Sequence, residues 1–230
     1  MNRFYKDVTL AEAEGGFHVL LDGKPVKTPG RNALRLPTRR LAEAVAAEWH
    51  VQGEEVVATS MPLLRLSNTV IDGVAVNRAD VVTAILRFGE NDLLCYRAHQ
   101  PLELANRQAE GWDPMLAWAR QRLGARLHVA QGLTHRDQPP EALAALREVM
   151  EGYDAWTLAG LHVIASITGS LVLGLAVVEG HATGPHAFAL SRIDEAYQIE
   201  KWGQDAEAEQ RAANLARDMD RAVELIAAVR

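Results

Sequence analysis

Residues Ala155–Val178 read AWTLAGLHVIASITGSLVLGLAVV, 24 positions without an Asp, Glu, Lys or Arg, and no other stretch of the 230-residue chain compares with them. As one helix the apolar part, Leu158–Val178, would extend roughly 32 Å at about 1.5 Å per residue. That length suits either a bilayer span or a central helix enclosed by protein. The flanks favour the enclosed helix. Asp154 and Glu179 border the run, the nearest cations are Arg147 and Arg192, and Trp156 alone offers an interfacial ring. Thr157, His162, Ser166, Thr168 and Ser170 dilute the run, while Gly160, Gly169 and Gly174 allow close backbone approach. The other predicted helices are amphipathic, and a buried central helix supplies the apolar partner each needs.

The first 36 residues read differently. Phe4, Lys6, Val8 and Leu10 share one side of an extended segment, and Phe17, Val19 and Leu21 alternate with their neighbours. Asp22-Gly23 between them and Val26 predicts a two-residue hairpin turn, because Gly accepts a positive φ. With a further turn at Pro29-Gly30 this makes an antiparallel meander of about four short strands. Thr38 then caps a helix over residues 39–52, whose Leu41, Val45 and Trp49 form one stripe.

From Ser60-Met61-Pro62 onward the pattern is helical. A helix follows Asn77. Another starts at Pro101 and is expected to restart at Asp113-Pro114, with Asp113 as N-cap, since an interior Pro costs about 3 kcal/mol. Pro139–Glu151 is helical, one helix is expected to run from Gly184 through SRIDEAYQIEKWG, and the last covers about 206–229. The fold class is therefore α+β. A small antiparallel β-rich domain with one helix, residues 1–60, precedes a larger all-helical domain, residues 61–230, built on the buried apolar helix.

Composition is that of an ordinary globular chain, with 48% hydrophobic and 23% charged residues. A net charge of −6 and no basic run argue against nucleic acid or anionic lipid as partner. Cys95 is the lone cysteine, so no internal disulfide forms and a reducing compartment is expected. The N-terminus MNRFYKDVTL has the character of neither a signal peptide nor a transit segment.

No nucleotide-binding or hydrolase motif is present, and the eight histidines (18, 50, 99, 128, 135, 162, 181, 186) are scattered. No metal or cofactor is implied. His162 reads as a hydrogen-bonded core histidine, and the five tryptophans (49, 112, 118, 156, 202) read as core packing. Asp194 and Glu195 are adjacent on one helix, so their side chains project about 100° apart and do not oppose each other across a pocket. Glu195 instead shares a face with Gln198 and Trp202, which suits a polar binding spot or a solvated face. An enzyme with a weak acidic or histidine site, and a generic interaction scaffold, stay open at this point.

Seven segments occur in a distinctive order: RFYKDV, LDGKPVKTP, LPTRRLAEAVAAEW with Gln52, SMPLLRLSNTVID, DLLCYR, WDPMLAW and SRIDEAYQIEKWG. Together, from about residue 3 to 203, they resemble the ATP synthase mitochondrial assembly factor 2 family, the assembly chaperones of the alpha subunit of the ATP-synthase catalytic head. The resemblance implies a non-enzymatic function. Such a protein binds the free alpha subunit, masks its apolar inter-subunit surface, prevents aggregation and leaves when the beta subunit arrives. It implies a monomer without cofactor, in the bacterial cytoplasm here and in the mitochondrial matrix for eukaryotic relatives. It points to Glu195 as client contact, with Asp194, Gln198 and Trp202 around it. It assigns Trp49 a structural role between the domains, together with Trp112, Asp113 and Pro114.

Overall fold

The structure, a computed structural model, describes residues 1–132, 136–203 and 205–230; of the histidines above, His135 lies outside them. The chain forms two compact units. Unit 1 comprises Met1–Arg78 with Ala155–Gly160 and Glu224–Arg230, and unit 2 comprises Ala79–Asp154 and Leu161–Val223.

In unit 1, β1 (Val8–Ala13) and β2 (Gly16–Leu21) pair antiparallel, with Leu10 opposite Val19. The other edge of β2 is shared by β3 (Lys24–Pro25) and β4 (Arg35–Leu36), so β2 is the centre of the sheet. Asp22 and Gly23 take φ of 48° and 78°, as a primed hairpin turn demands. The Asp22 carboxylate accepts the backbone N–H groups of Lys6 and Asp7 at 3.0 and 2.8 Å, which hold it below its ordinary pKa.

Helix α1 (Arg39–His50) packs on β1 and β2 through Leu41, Ala42, Val45, Ala46 and Trp49. Thr38 Oγ1 accepts the Leu41 N–H at 3.2 Å and donates to the Ala228 carbonyl. Both oxygens of Glu48 cap helix α2 (Pro62–Thr69), accepting from Leu63 N at 2.7 Å and Leu64 N at 2.8 Å. Gln52 is buried and braces the same junction by accepting from Val57 N and donating to Ser60 Oγ. Asp72 gathers the loop at residues 28–32. It accepts from Thr28 Oγ1 (2.6 Å), Gly30 N (2.8 Å) and Asn32 Nδ2 (2.8 Å).

Unit 2 holds α3 (Arg78–Glu90, from its second residue), β5 (Tyr96–Arg97), α4 (Leu102–Arg122), β6 (Ala130–Gln131) and α5 (Pro140–Glu151). The apolar run that follows is two helices rather than the expected one, α6 (Ala155–Thr168) and α7 (Leu171–Val178). Gly169 breaks it at φ 65°. The start of α7 is capped twice: Ser170 Oγ accepts from Leu173 N and the buried Asp92 carboxylate accepts from Val172 N, both at 3.0 Å. The chain folds back because α7 packs on α6, where a Cβ at Gly174 would lie 2.8 Å from Leu161 Cδ1. At about 1.5 Å per residue α6 is roughly 21 Å long and α7 roughly 12 Å. Among the described residues no helix is long and apolar enough to cross a membrane.

Helix α4 also departs from expectation, since it runs unbroken through Pro114 and Asp113 is no N-cap. Buried Trp112 before the proline, and Met115, Trp118 and Ala119 after it, hold the helix on both sides. Trp112 Nε1 donates to the Leu190 carbonyl at 2.8 Å, and Asp113 pairs instead with Arg97 at 2.7 Å. The next expected helix is divided at Arg192 into α8 (Gly184–Ser191) and α9 (Ile193–Trp202). Helix α10 (Ala206–Val229) is continuous, with Met219, Ala222, Leu225 and Ile226 buried. His162 is exposed rather than core, its ring 6.2 Å from Phe88. Cys95 is buried, which pushes its thiol up to about 12.

Candidate partner-binding site

Helix α9 presents two faces of different character. On one, Tyr197 is buried. Beside it a network of exposed charges ties α9 to α4. Arg107 bonds Glu200 at 2.6 Å and Glu103 at 2.7 Å, and Lys201 reaches Glu103 at 3.1 Å. These pairings lower both carboxyl pKa values, Glu200 mainly through Arg107 and Glu103 mainly through Lys201, and raise those of Arg107 and Lys201. Asp194 belongs to this face too, accepting from Gln108 Nε2 at 2.6 Å. Gln108 is buried, and its Oε1 accepts the Ala98 N–H at 2.7 Å.

The other face lines a groove of about 310 Å³. Glu195, Gln198, Ile199 and Trp202 supply one wall, at the i, i+3, i+4, i+7 spacing that puts helical side chains in a row. Gly203 ends α9 at φ 87° and turns the chain, so that Ala208, Glu209 and Ala212 of α10 supply the opposite wall. Arg192 and Asp205 also line it, with Arg192 lying 3.5 Å from Glu195 and Asp205 3.8 Å from Arg211. Trp202 is 78% exposed, which corrects the expectation that all five tryptophans are core.

Glu195, Gln198 and Trp202 are thus brought together, while Asp194 is turned away from them. Trp49, Trp112, Asp113 and Pro114 lie outside the groove. Trp49 is buried within unit 1, its ring 5.4 Å edge-on from Tyr5, whose hydroxyl donates to the Trp49 carbonyl at 2.6 Å. Trp112, Asp113 and Pro114 are consecutive on α4 in unit 2. The residues that sequence reasoning left out are Ile199 and the α10 wall. For Ile199 the i+4 spacing from Glu195 is a signal, whereas Ala212, half-buried in the apolar stripe of α10, carries no mark of lying on this groove.

An exposed indole beside an amide and a carboxylate is the chemistry of a protein contact, since Trp is enriched among residues that dominate interfaces. The two adjacent acids serve different surroundings and do not converge on a common point. Among the described residues no group of three His, Cys, Asp or Glu side chains is placed to hold a metal ion.

Comparison with known proteins agrees with this fold. The chain is 42% identical to Atp12 from Paracoccus denitrificans, whose crystal structure superposes with a TM-score of 0.95, covering 100% of this chain and 98% of that one. A point mutant of the same protein gives a TM-score of 0.96 at 41% identity, with the same coverage. The Atu1473 protein of Agrobacterium tumefaciens, described as a putative chaperone, is 46% identical, with a TM-score of 0.96 over 100% of this chain and 86% of that one. The mitochondrial protein atp12 of Schizosaccharomyces pombe is 25% identical over 214 residues, 87% of this chain and 73% of the relative. The family model described as ATP12 chaperone protein matches residues 2–120, and the chain belongs to that chaperone family.

Proposed function

We propose that the protein is an ATP-synthase assembly chaperone. It binds the free alpha subunit of the catalytic head, masks the apolar surface that a beta subunit later covers, and is displaced when beta arrives. The observation that carries this reading is the groove between α9 and α10, where the 78% exposed Trp202 stands with Glu195 and Gln198. An unassembled subunit presents an apolar patch larger than monomers tolerate. A large exposed ring beside polar groups masks such a patch reversibly, and no bond need be made or broken. The protein then acts as a monomer, without catalysis or cofactor, and its site of action is the bacterial cytoplasm.

Co-expression with the alpha subunit of the same organism tests the proposal. Soluble alpha in a one-to-one complex, released on addition of beta, is the expected result. Alpha that aggregates regardless of the protein overturns it, and a complex that beta leaves intact reduces the protein to a scaffold.

A further inference from the structure

The groove between α9 and α10 holds two groups that nothing else in the chain answers. Its lining carries three carboxylates, Glu195, Asp205 and Glu209, against the single cation Arg192. Glu195 lies 3.5 Å from Arg192, and Asp205 lies 3.8 Å from Arg211. Arg211 also holds Glu207 at 3.2 Å, and Lys201 is engaged with Glu103 at 3.1 Å. The exposed Glu209 has no cation within ion-pair distance among the described residues. The second group is the Trp202 ring, 78% exposed, with no guanidinium or ammonium over it among the described residues.

Elsewhere in unit 2 a ring and a carboxylate are joined by an arginine. Arg97 lies over the Trp112 ring at 5.3 Å and pairs with Asp113 at 2.7 Å. Arg107 lies over Tyr197 at 5.3 Å and pairs with Glu200 at 2.6 Å. Arg192 lies over Phe188 at 5.6 Å and pairs with Glu195 at 3.5 Å. A guanidinium serves both partners because it is planar: its face stacks on the ring while its edge donates to the carboxylate. Lys201 shares the Tyr197 ring at 5.0 Å, but an ammonium is a point charge and matches a flat ring and a forked carboxylate less well. In the groove the ring and the carboxylate stand on facing walls, and the cation is missing.

We propose that the groove receives an arginine side chain of the client, and that this arginine selects the segment of the alpha subunit that docks there. The inference rests on the reading of the groove as the client site. The guanidinium stacks on Trp202 and pairs with Glu209, and the aliphatic stem lies along Ile199 and Ala212. At about 310 Å³ the groove is at the small end of the range for ligand sites, which suits one long side chain. Glu195 stays with Arg192 and Asp205 with Arg211, so one unpaired negative charge meets one incoming positive charge.

The test measures the dissociation constant of the alpha-subunit complex for the full-length wild-type chain, Trp202→Leu, Glu209→Gln and the double variant. Trp202→Leu keeps an apolar side chain and removes the π face. Each single variant should weaken binding roughly threefold to fivefold. The double variant should weaken it by less than the product, since both groups act on one guanidinium. Glu207→Gln, at an acid outside the groove lining, should bind as wild type does. In parallel, phenylglyoxal labelling with peptide mapping should find an alpha-subunit arginine that is protected in the wild-type complex and reactive in the Glu209→Gln complex. Unchanged affinity in Glu209→Gln or Trp202→Leu, independent effects of the two, or protection of lysines without any arginine overturns this inference and leaves the proposed function standing. A wild-type chain that forms no complex with the alpha subunit overturns both.

Discussion

Asp194 accepts a 2.6 Å hydrogen bond from Gln108, while its neighbour Glu195 lines the groove beside Trp202. Two acids adjacent in sequence therefore do different work. Asp194→Ala should lower stability by about 1–3 kcal/mol, because the buried Gln108 amide loses its acceptor. Glu195→Lys should keep the fold within about 1 kcal/mol and weaken alpha-subunit binding. Denaturation and a pull-down on the same preparations check both. A Glu195→Lys protein that melts early yet binds normally would make Glu195 structural.

Trp202→Ala should leave stability within about 0.5 kcal/mol, as expected of a surface side chain. Its effect on the alpha complex should be large, about 2 kcal/mol or more, if this ring is an anchor of the interface. Chemical denaturation and a binding titration read the two separately.

Burial lifts the Asp92 carboxyl to about 6, although backbone N–H groups at the starts of two helical segments pull the other way. The folded state thus holds its proton more tightly than the unfolded chain. The stabilising contribution of Asp92 is full below the ordinary carboxylate pKa and is lost as pH rises through about 6. Asp92→Asn should destabilise by about 1–3 kcal/mol, because its amide confronts an N–H with another donor. The gap between wild type and this variant should be wider near pH 4 than near pH 7. Urea denaturation at the two values measures it, and a gap that widens with pH would refute the assignment.

Gly30 has no room for a side chain, since a Cβ there would lie 2.7 Å from Asp72 Oδ1. Gly30→Ala should push the residue 28–32 loop off Asp72 and cost about 1–3 kcal/mol. Asp72→Ala should remove most of the added cost of Gly30→Ala in a double-mutant cycle.

Trp49→Arg should cost about 3–5 kcal/mol by placing an unpaired charge where the indole is buried against Tyr5. Unchanged thermal stability would rule out a structural role for Trp49.

The Asp22-Gly23 turn, the Thr38 cap and helices α5 and α10 were legible in the sequence because their signals are local. A turn needs a positive φ, a cap needs one oxygen, and a helix shows its own period. In the site, the row Glu195, Gln198 and Trp202 follows from helical spacing alone. The opposite wall was not legible. It depends on where Gly203 sends the chain, and no period within α9 reports on α10. The exposure of Trp202 was hidden for a related reason: a large apolar ring reads as core unless the neighbours that leave it uncovered are known.

By itself the sequence determined the class of the fold and, through seven spaced segments, the family resemblance. Tertiary structure alone decided where long patterns break and which way adjacent side chains turn. The apolar run folds back at Gly169 because Gly174 allows α7 to pack against Leu161 and Asp92 caps the new helix. Helix α4 continues through Pro114 because buried tryptophans anchor it on both sides. Asp194 turns inward because Gln108 waits for it. Each of these depends on contacts between residues far apart in the chain, and such contacts leave no mark in local propensity.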